Sequence, residues 1–163
     1  MQKGIESIWQ VAQKVKQKVA KFMGIDPGRQ GAIAVIDGDE MSVTVHDMPA
    51  TLEGKRAVLS EIGSVRFCWI EKPFYPRMIG VKNVATIAQA YGEMRSCLYH
   101  AGVPTMEVSP ADWKKHFGLN TDKDASRAYA TGVFPDQAHL WARKKDDGRA
   151  EAALIAYYGW RKK

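Results

Sequence analysis

The stretch "RFCWIEKP", residues 66–73, constrains the fold more than any other part of the chain. Phe67, Cys68, Trp69 and Ile70 show no alternation of apolar and polar residues. A strand of this kind is apolar on both faces and needs a covering layer on each side. Central strands of parallel sheets meet that condition, with helices packed above and below. One such strand commits the chain to an α/β architecture.

The flanking segments supply the other parts. "KFMGID" reads as a first strand, "PGRQG" as a turn and "GAIAVID" as a second strand. "GDE" turns again into "MSVTVHDM", whose alternation predicts a half-exposed third strand. Tight turns between these three predict an antiparallel meander. "LEGKRAVLSEIG" reads as a helix, and "RFCWIEKP" is then the fourth strand. Residues 81–101 read as a long helix with the apolar stripe Val84, Ile87, Ala88, Tyr91, Met94, Leu98 and Ala101. "VPTMEVSP" is the fifth strand. In "SPADW", Ser109 is the expected N-cap, Pro110 takes the first helical position and Asp112 lies three residues after the cap. "TDKD" repeats that logic with Thr121 and Asp124, and "KKDDGRAEAALIA" opens a closing helix that ends near Gly159. The expected order is β-β-β-α-β-α-β-α-α, a five-stranded mixed sheet flanked by helices.

An amphipathic segment precedes this pattern. Ile5, Ile8, Trp9, Ala12, Val15, Val19 and Phe22 recur at three- and four-residue steps, with lysines opposite. Residues 1–22 are therefore expected to form an extra helix that docks on the domain or on a partner subunit, ahead of a domain over 23–163. A membrane-surface helix or a transit peptide is the alternative; Glu6, the lack of Arg and the scarcity of Ser argue against a transit peptide. No apolar run is long enough to cross a membrane, and no secretory h-region is expected. The 163 residues suit one domain with a real core. Cys68 and Cys97 have no metal-ligand spacing and read as small buried hydrophobes. A formal net charge of +6 favours a polyanionic partner, nucleic acid first.

The acids carry the chemistry. Asp26 ends the first strand and Glu71 the fourth. If these strands are parallel neighbours, both carboxylates emerge at one sheet edge, where ligand sites of α/β proteins lie. Asp147 and Glu151 are four apart and share a helix face. Singly, each acid has a plainer role: "DPG" is a common turn, Glu71 could sit at the surface, and Asp146 and Asp147 could favour a helix start. Jointly the plain roles fit poorly, because Glu151 lies inside the apolar run "AEAALIA". Four carboxylates in a small volume require protons or cations. An all-oxygen set points to a hard cation, Mg²⁺ or Mn²⁺.

"GIDPGRQGAIAVID", "IEKPFYP", "IAQAYGEM" and "KKDDGRAEAALIA" together resemble the RuvC-type Holliday junction resolvases, especially their phage and organellar branches. The resemblance runs from about residue 22 to residue 159. It implies an RNase H-like fold, a homodimer and Mg²⁺-dependent cutting of four-way DNA junctions by paired symmetric nicks. Asp26 matches the first-strand aspartate of the family and Glu71 its fourth-strand glutamate. Glu151 stands where the bacterial proteins usually have aspartate. The bacterial pattern places the remaining acid at Gly148; Asp147, one residue earlier on the same side, is taken over Asp146. Two ions roughly 3.5–4 Å apart can activate water, relieve phosphate charge and help the leaving 3′ oxygen. Asp26 would bridge both ions, Glu71 and Glu151 would each complete one shell, and Asp147 would assist.

The expected DNA grip is basic: Lys72, Arg77, Lys82, Lys114, Lys123, Arg127, Lys145 and Arg149. Lys114 and Lys123 match family lysines that face DNA. Phe74 and Tyr75 either pack beneath their Pro-bounded loop or stack on bases as a wedge. Trp113, Trp141 and Trp160 read as core or interface. The helix carrying Tyr91 and Met94 is the expected dimer face, since two symmetric cuts call for a two-fold assembly. The expected location is the cytoplasm of a bacterial or phage-infected cell rather than an organelle. Rival readings are a broader branched-DNA or other RNase H-like nuclease, a non-catalytic nucleic-acid-binding relative, and an actin-like ATPase, whose two lobes exceed this length.

Overall fold

Apolar strands with one continuous face on each side build a five-stranded sheet in the order β3-β2-β1-β4-β5. The computed structural model describes residues 20–75, 78 and 80–162. Strands β1 (Lys21–Asp26), β2 (Ala32–Asp37) and β3 (Ser42–Asp47) form the antiparallel meander. β4 (Phe67–Glu71) lies parallel between β1 and β5 (Thr105–Val108). Its burial matches the central position: Cys68 and Ile70 have no exposed surface, and Trp69 packs edge-on against Tyr158. Most of the helical segment expected over 1–22 lies outside the described residues. Its last part does not: Lys21 and Phe22 belong to β1, where Phe22 is buried, so the sheet begins before residue 23.

The helices are α1 (Leu52–Ile62), α2 (Val81–His100), α3 (Pro110–His116), α4 (Lys123–Val133) and α5 (Asp147–Arg161). Three α-helices follow β5, from the three starts read in "SPADW", "TDKD" and "KKDDG", one more than the expected order counts, and two 3₁₀ segments, Pro135–Trp141 and Lys144–Asp146, separate α4 from α5. Ser109 caps α3 as expected, accepting from the Asp112 N–H at 3.1 Å. α4 is capped by Asp122, which accepts from the Asp124 N–H, and not by Thr121. Both residues are good caps, and the chain uses the later one.

α1 and α2 cover one sheet face, closing a core of Met23, Ile25, Ile33, Leu59, Cys68, Ile70, Met94 and Leu98. The stripe expected on α2 is shorter in fact. Met94, Cys97 and Leu98 are buried, Ala88 and Ala101 are exposed, and Val81 is 85% exposed. α5 covers the other face through Ala152, Ala153 and Ala156. This helix lies directly on β1: a Cβ at Gly24 would sit 2.1 Å from the Ala156 nitrogen and 2.3 Å from the Ala152 oxygen. Its first turn reaches the β1–β2 turn, where a Cβ at Gly148 would meet the Gln30 carbonyl at 2.1 Å. Only glycine permits either approach, so the two glycines set where the helix sits over the strands.

Candidate active site

Register and parity place the first two acids. Ile25 pairs with Ile70 across the parallel β1–β4 ladder, so Asp26 and Glu71 follow side by side at the strand ends. Alternate residues point to opposite faces. Met23 and Ile25 face α1 and α2, and so do Cys68 and Ile70. Asp26 and Glu71 therefore face α5. The amino-terminal end of α5 lies over this same edge and presents Asp147 and Glu151, each buried.

The charges of these acids act on one another. Burial pushes Asp26 up to about 6, with the nearby negative charges of Glu151 and Asp147 adding to the rise. The Gly28 N–H, donating to Asp26 Oδ1 at 2.9 Å, and the Lys123 ammonium oppose it. The turn-capping role of Asp26 and its place among the acids are thus both real. Glu71 is pushed up to about 7 by burial and then by the charges of Asp26 and Glu151, against the Trp113 N–H and Lys114. The four acids expected from the sequence are brought to one end of the sheet.

Two lysines enter the cluster. Lys114 Nζ lies 2.8 Å from Glu151 Oε1, and Lys123 pairs with Asp147. Among the described residues, no three Asp, Glu, His or Cys side chains converge at metal-binding spacing. The donor set nevertheless fits a hard divalent ion: it is all oxygen, it is partly buried, and burial, with repulsion from the neighbouring acids added, holds two members toward the protonated form.

Asp146 belongs elsewhere. Both its oxygens accept from the Arg143 guanidinium, at 2.8 and 2.9 Å, and this pairing holds its carboxyl below the usual range. Asp147, not Asp146, faces Asp26.

Two residues of the site were not singled out for it by sequence reasoning. Trp113 donates its indole N–H to Glu71 Oε2 at 2.6 Å, and Ser126 donates to Glu151 Oε1 at 3.3 Å. Trp113 reads as core or interface, Ser126 carries no local signal, and each partner is distant in sequence.

The expected DNA-contacting residues divide into groups. Lys72, Lys82 and Lys145 are exposed, with Lys72 3.7 Å from Glu107. Lys114 and Lys123 lie at the acids. Arg127 binds Asp124 at 2.7 Å and the Ala142 carbonyl at 3.2 Å, tying α4 to the residue that follows the first 3₁₀ segment. Arg149 makes a two-pronged pair with Asp47 at 2.6 and 2.7 Å and donates to the Leu140 carbonyl at 3.1 Å. Both arginines hold the fold together instead of standing free for phosphate. Arg77 lies outside the described residues. Phe74 and Tyr75 do not pack under their loop: they are 74% and 41% exposed. Phe74, Pro73, Pro110, Leu119, Lys114 and Lys115 line an apolar groove of about 900 Å³ beside Glu71. Trp113 and Trp141 are core residues.

Comparison with known proteins agrees with this fold. No protein-family model matches the chain. It is 33% identical over 119 residues to the chloroplastic Holliday junction resolvase MOC1 of Chlamydomonas reinhardtii, covering 63% of this chain and 13% of that protein. It is 33% identical over 91 residues to the crossover junction endodeoxyribonuclease RuvC of Gloeobacter violaceus, covering 56% of this chain and 50% of that one. The chain thus spans half or less of the length of these curated relatives. Among solved structures, Thermus thermophilus RuvC in complex with a Holliday junction substrate superposes with a TM-score of 0.60 at 17% identity, covering 85% of this chain and 94% of that one. A second Thermus thermophilus RuvC structure gives 0.55 at 18% identity, covering 87% and 96%. In sequence the chain is similar to the RuvC-type Holliday junction resolvases, and its fold is the RNase H-like fold of RuvC.

Proposed function

We propose that this chain is a divalent-ion-dependent endodeoxyribonuclease that resolves four-way DNA junctions by paired symmetric nicks, acting as a two-fold homodimer. One observation carries the reading: carboxylates from two parallel strand ends and one helix face meet at the same sheet edge, beside exposed lysines and aromatics. The likeness to proteins named as junction resolvases supports the choice of substrate.

Asp26, Glu71, Glu151 and Asp147 would hold the ions, Mg²⁺ or Mn²⁺, two per site. When bound, the ions supply charge relief on the phosphate and lower the cost of deprotonating the attacking water. Water adds to phosphorus and the P–O3′ bond breaks, leaving a 5′ phosphate and a 3′ hydroxyl. Lys114 and Lys123 orient Glu151 and Asp147 and add positive charge where the DNA backbone approaches. Phe74 and Tyr75 offer aromatic faces to bases unstacked at the branch point. Lys72, Lys82, Lys115 and Lys145 supply phosphate contacts. The outer side of the long α2 helix is the dimer face; Met94, on its inner side, is fully buried in the core of the chain itself. No helix among the described residues is long and apolar enough to cross a membrane. The cytoplasm of a bacterial or phage-infected cell is the proposed location.

The test offers end-labelled four-way junction, fork and linear duplex to the purified chain, with Mg²⁺ and with chelator. The expected result is symmetric paired nicks on the junction, dependent on Mg²⁺. Equal cutting of fork or duplex would instead favour a general branch-trimming nuclease, and cutting of none a non-catalytic binder.

A further inference from the structure

We propose that Trp113 is a positioning residue for the candidate active site: its buried indole N–H fixes the Glu71 carboxylate in the orientation that receives a divalent ion. The inference rests on the functional reading above. The geometry starts from β5. Val108 pairs with Glu71, and the chain then turns at Ser109 into α3, so the first turn of α3 lies beside the end of β4. Trp113 is fully buried there, and its Nε1 lies 2.6 Å from Glu71 Oε2. An indole carries one donor and no acceptor. Trp141, also buried, gives its N–H to the hydroxyl of the exposed Thr131 at 3.0 Å, an ordinary neutral bond at the edge of the core. Trp113 directs its only donor at an acid of the cluster. At 2.6 Å this bond lies at the short end for an N–H donor, so one oxygen of Glu71 is anchored and rotation of the carboxyl group is restricted.

The neighbouring residue extends the device. Lys114 binds Glu151 at 2.8 Å, and its ammonium lies 5.1 Å from the centre of the Trp113 ring. A single turn of α3 thereby holds one acid from the sheet and one from α5. Partners of this kind orient the groups that bind the ion without touching ion or substrate.

The test uses the full chain and two replacements of Trp113. Trp113→Phe removes the donor and keeps a ring. Substitution by 3-benzothienylalanine, with sulfur in place of the N–H, keeps the whole bicycle and decides the matter if the first variant misfolds. Three quantities are read: Mn²⁺ affinity by electron paramagnetic resonance, junction affinity without divalent ions, and the Trp113 indole proton in ¹⁵N-tryptophan spectra. The expected loss in Mn²⁺ affinity is about tenfold, with junction affinity unchanged. In a Glu71→Ala background the Trp113 replacement has no further effect, and Glu71→Ala itself shifts the indole signal. Unchanged Mn²⁺ affinity in the benzothienyl protein would overturn the role of Trp113 alone. So would an equal loss in the Glu71→Ala background, or an indole signal that ignores Glu71. A wild-type protein that binds no Mn²⁺ would overturn the functional reading and the positioning role together.

Discussion

Asp26→Asn is expected to lower junction cleavage by at least about a thousandfold while junction affinity changes little. Asp26 is the acid on which both α5 carboxylates bear, and its own charge in turn raises Glu71. Losing its charge weakens ion binding at the centre of the cluster, and bound ions stabilise the transferring phosphate by several kcal/mol. Each 1.36 kcal/mol is a factor of ten in rate. The fold tolerates the change because the asparagine oxygen still accepts from the Gly28 N–H, the bond that closes the turn after β1. The lysines proposed to contact DNA are untouched, so affinity persists. Single-turnover cleavage and binding of the same labelled junction check both halves. Cleavage within tenfold of the wild type would remove Asp26 from the chemistry.

Acidification from pH 7 to pH 5 without divalent ions is expected to stabilise the protein. Asp26 moves from an ordinary 3.8 to about 6, and Glu71 from 4.5 to about 7. Their folded-state values lie above the unfolded ones, so between about pH 4 and pH 7 the folded chain binds protons the unfolded chain has lost. Stability then falls as pH rises through that window. Because the two acids act on each other, their shifts do not simply add. A gain of about 2 kcal/mol on going to pH 5 is expected, or about 4–8 °C in melting temperature for a chain of this size.

Other groups run the other way. Asp47 and Asp146 are held low by arginines, and their stabilisation is lost only as pH falls through and below the ordinary carboxylate range. His116 is lowered by burial and by Lys162, so its contribution fades as pH falls below 6.5. Comparison with Asp26→Asn isolates the acid cluster, since that variant keeps all three. The variant should show a clearly smaller rise, and saturating Mg²⁺ should flatten the wild-type curve. Thermal melts in chelator across pH 4.5–7.5 measure this. A wild-type rise no larger than that of the variant would show that the acids are not crowded.

The strands were legible because each announces itself through local patterning. Asp26 and Glu71 stood out for the same reason, as acids that close apolar strands. Glu151 was legible because a carboxylate inside "AEAALIA" needs a partner. Arg143, three residues from Asp146, takes up both oxygens of that carboxylate, a pairing that nothing local in the sequence marks, and leaves Asp147 as the acid proposed for the site. Long-range pairing was the part that could not be read. Arg149 meets Asp47 across 102 positions, and Trp113 meets Glu71 across 42. Nothing local in "SPADW" distinguishes a core indole from one aimed at a site. Residues 135–146 lack both helical and strand periodicity, and their 3₁₀ turns became visible only once packed against α4 and α5.

The central claim is that the four acids together bind divalent ions. It is tested most directly by anomalous diffraction from crystals soaked in Mn²⁺. The account predicts manganese peaks among the Asp26, Glu71, Asp147 and Glu151 carboxylates, with Lys114 and Lys123 displaced from the oxygens they contact. No peak among these four carboxylates, or manganese bound only elsewhere on the protein, would contradict it.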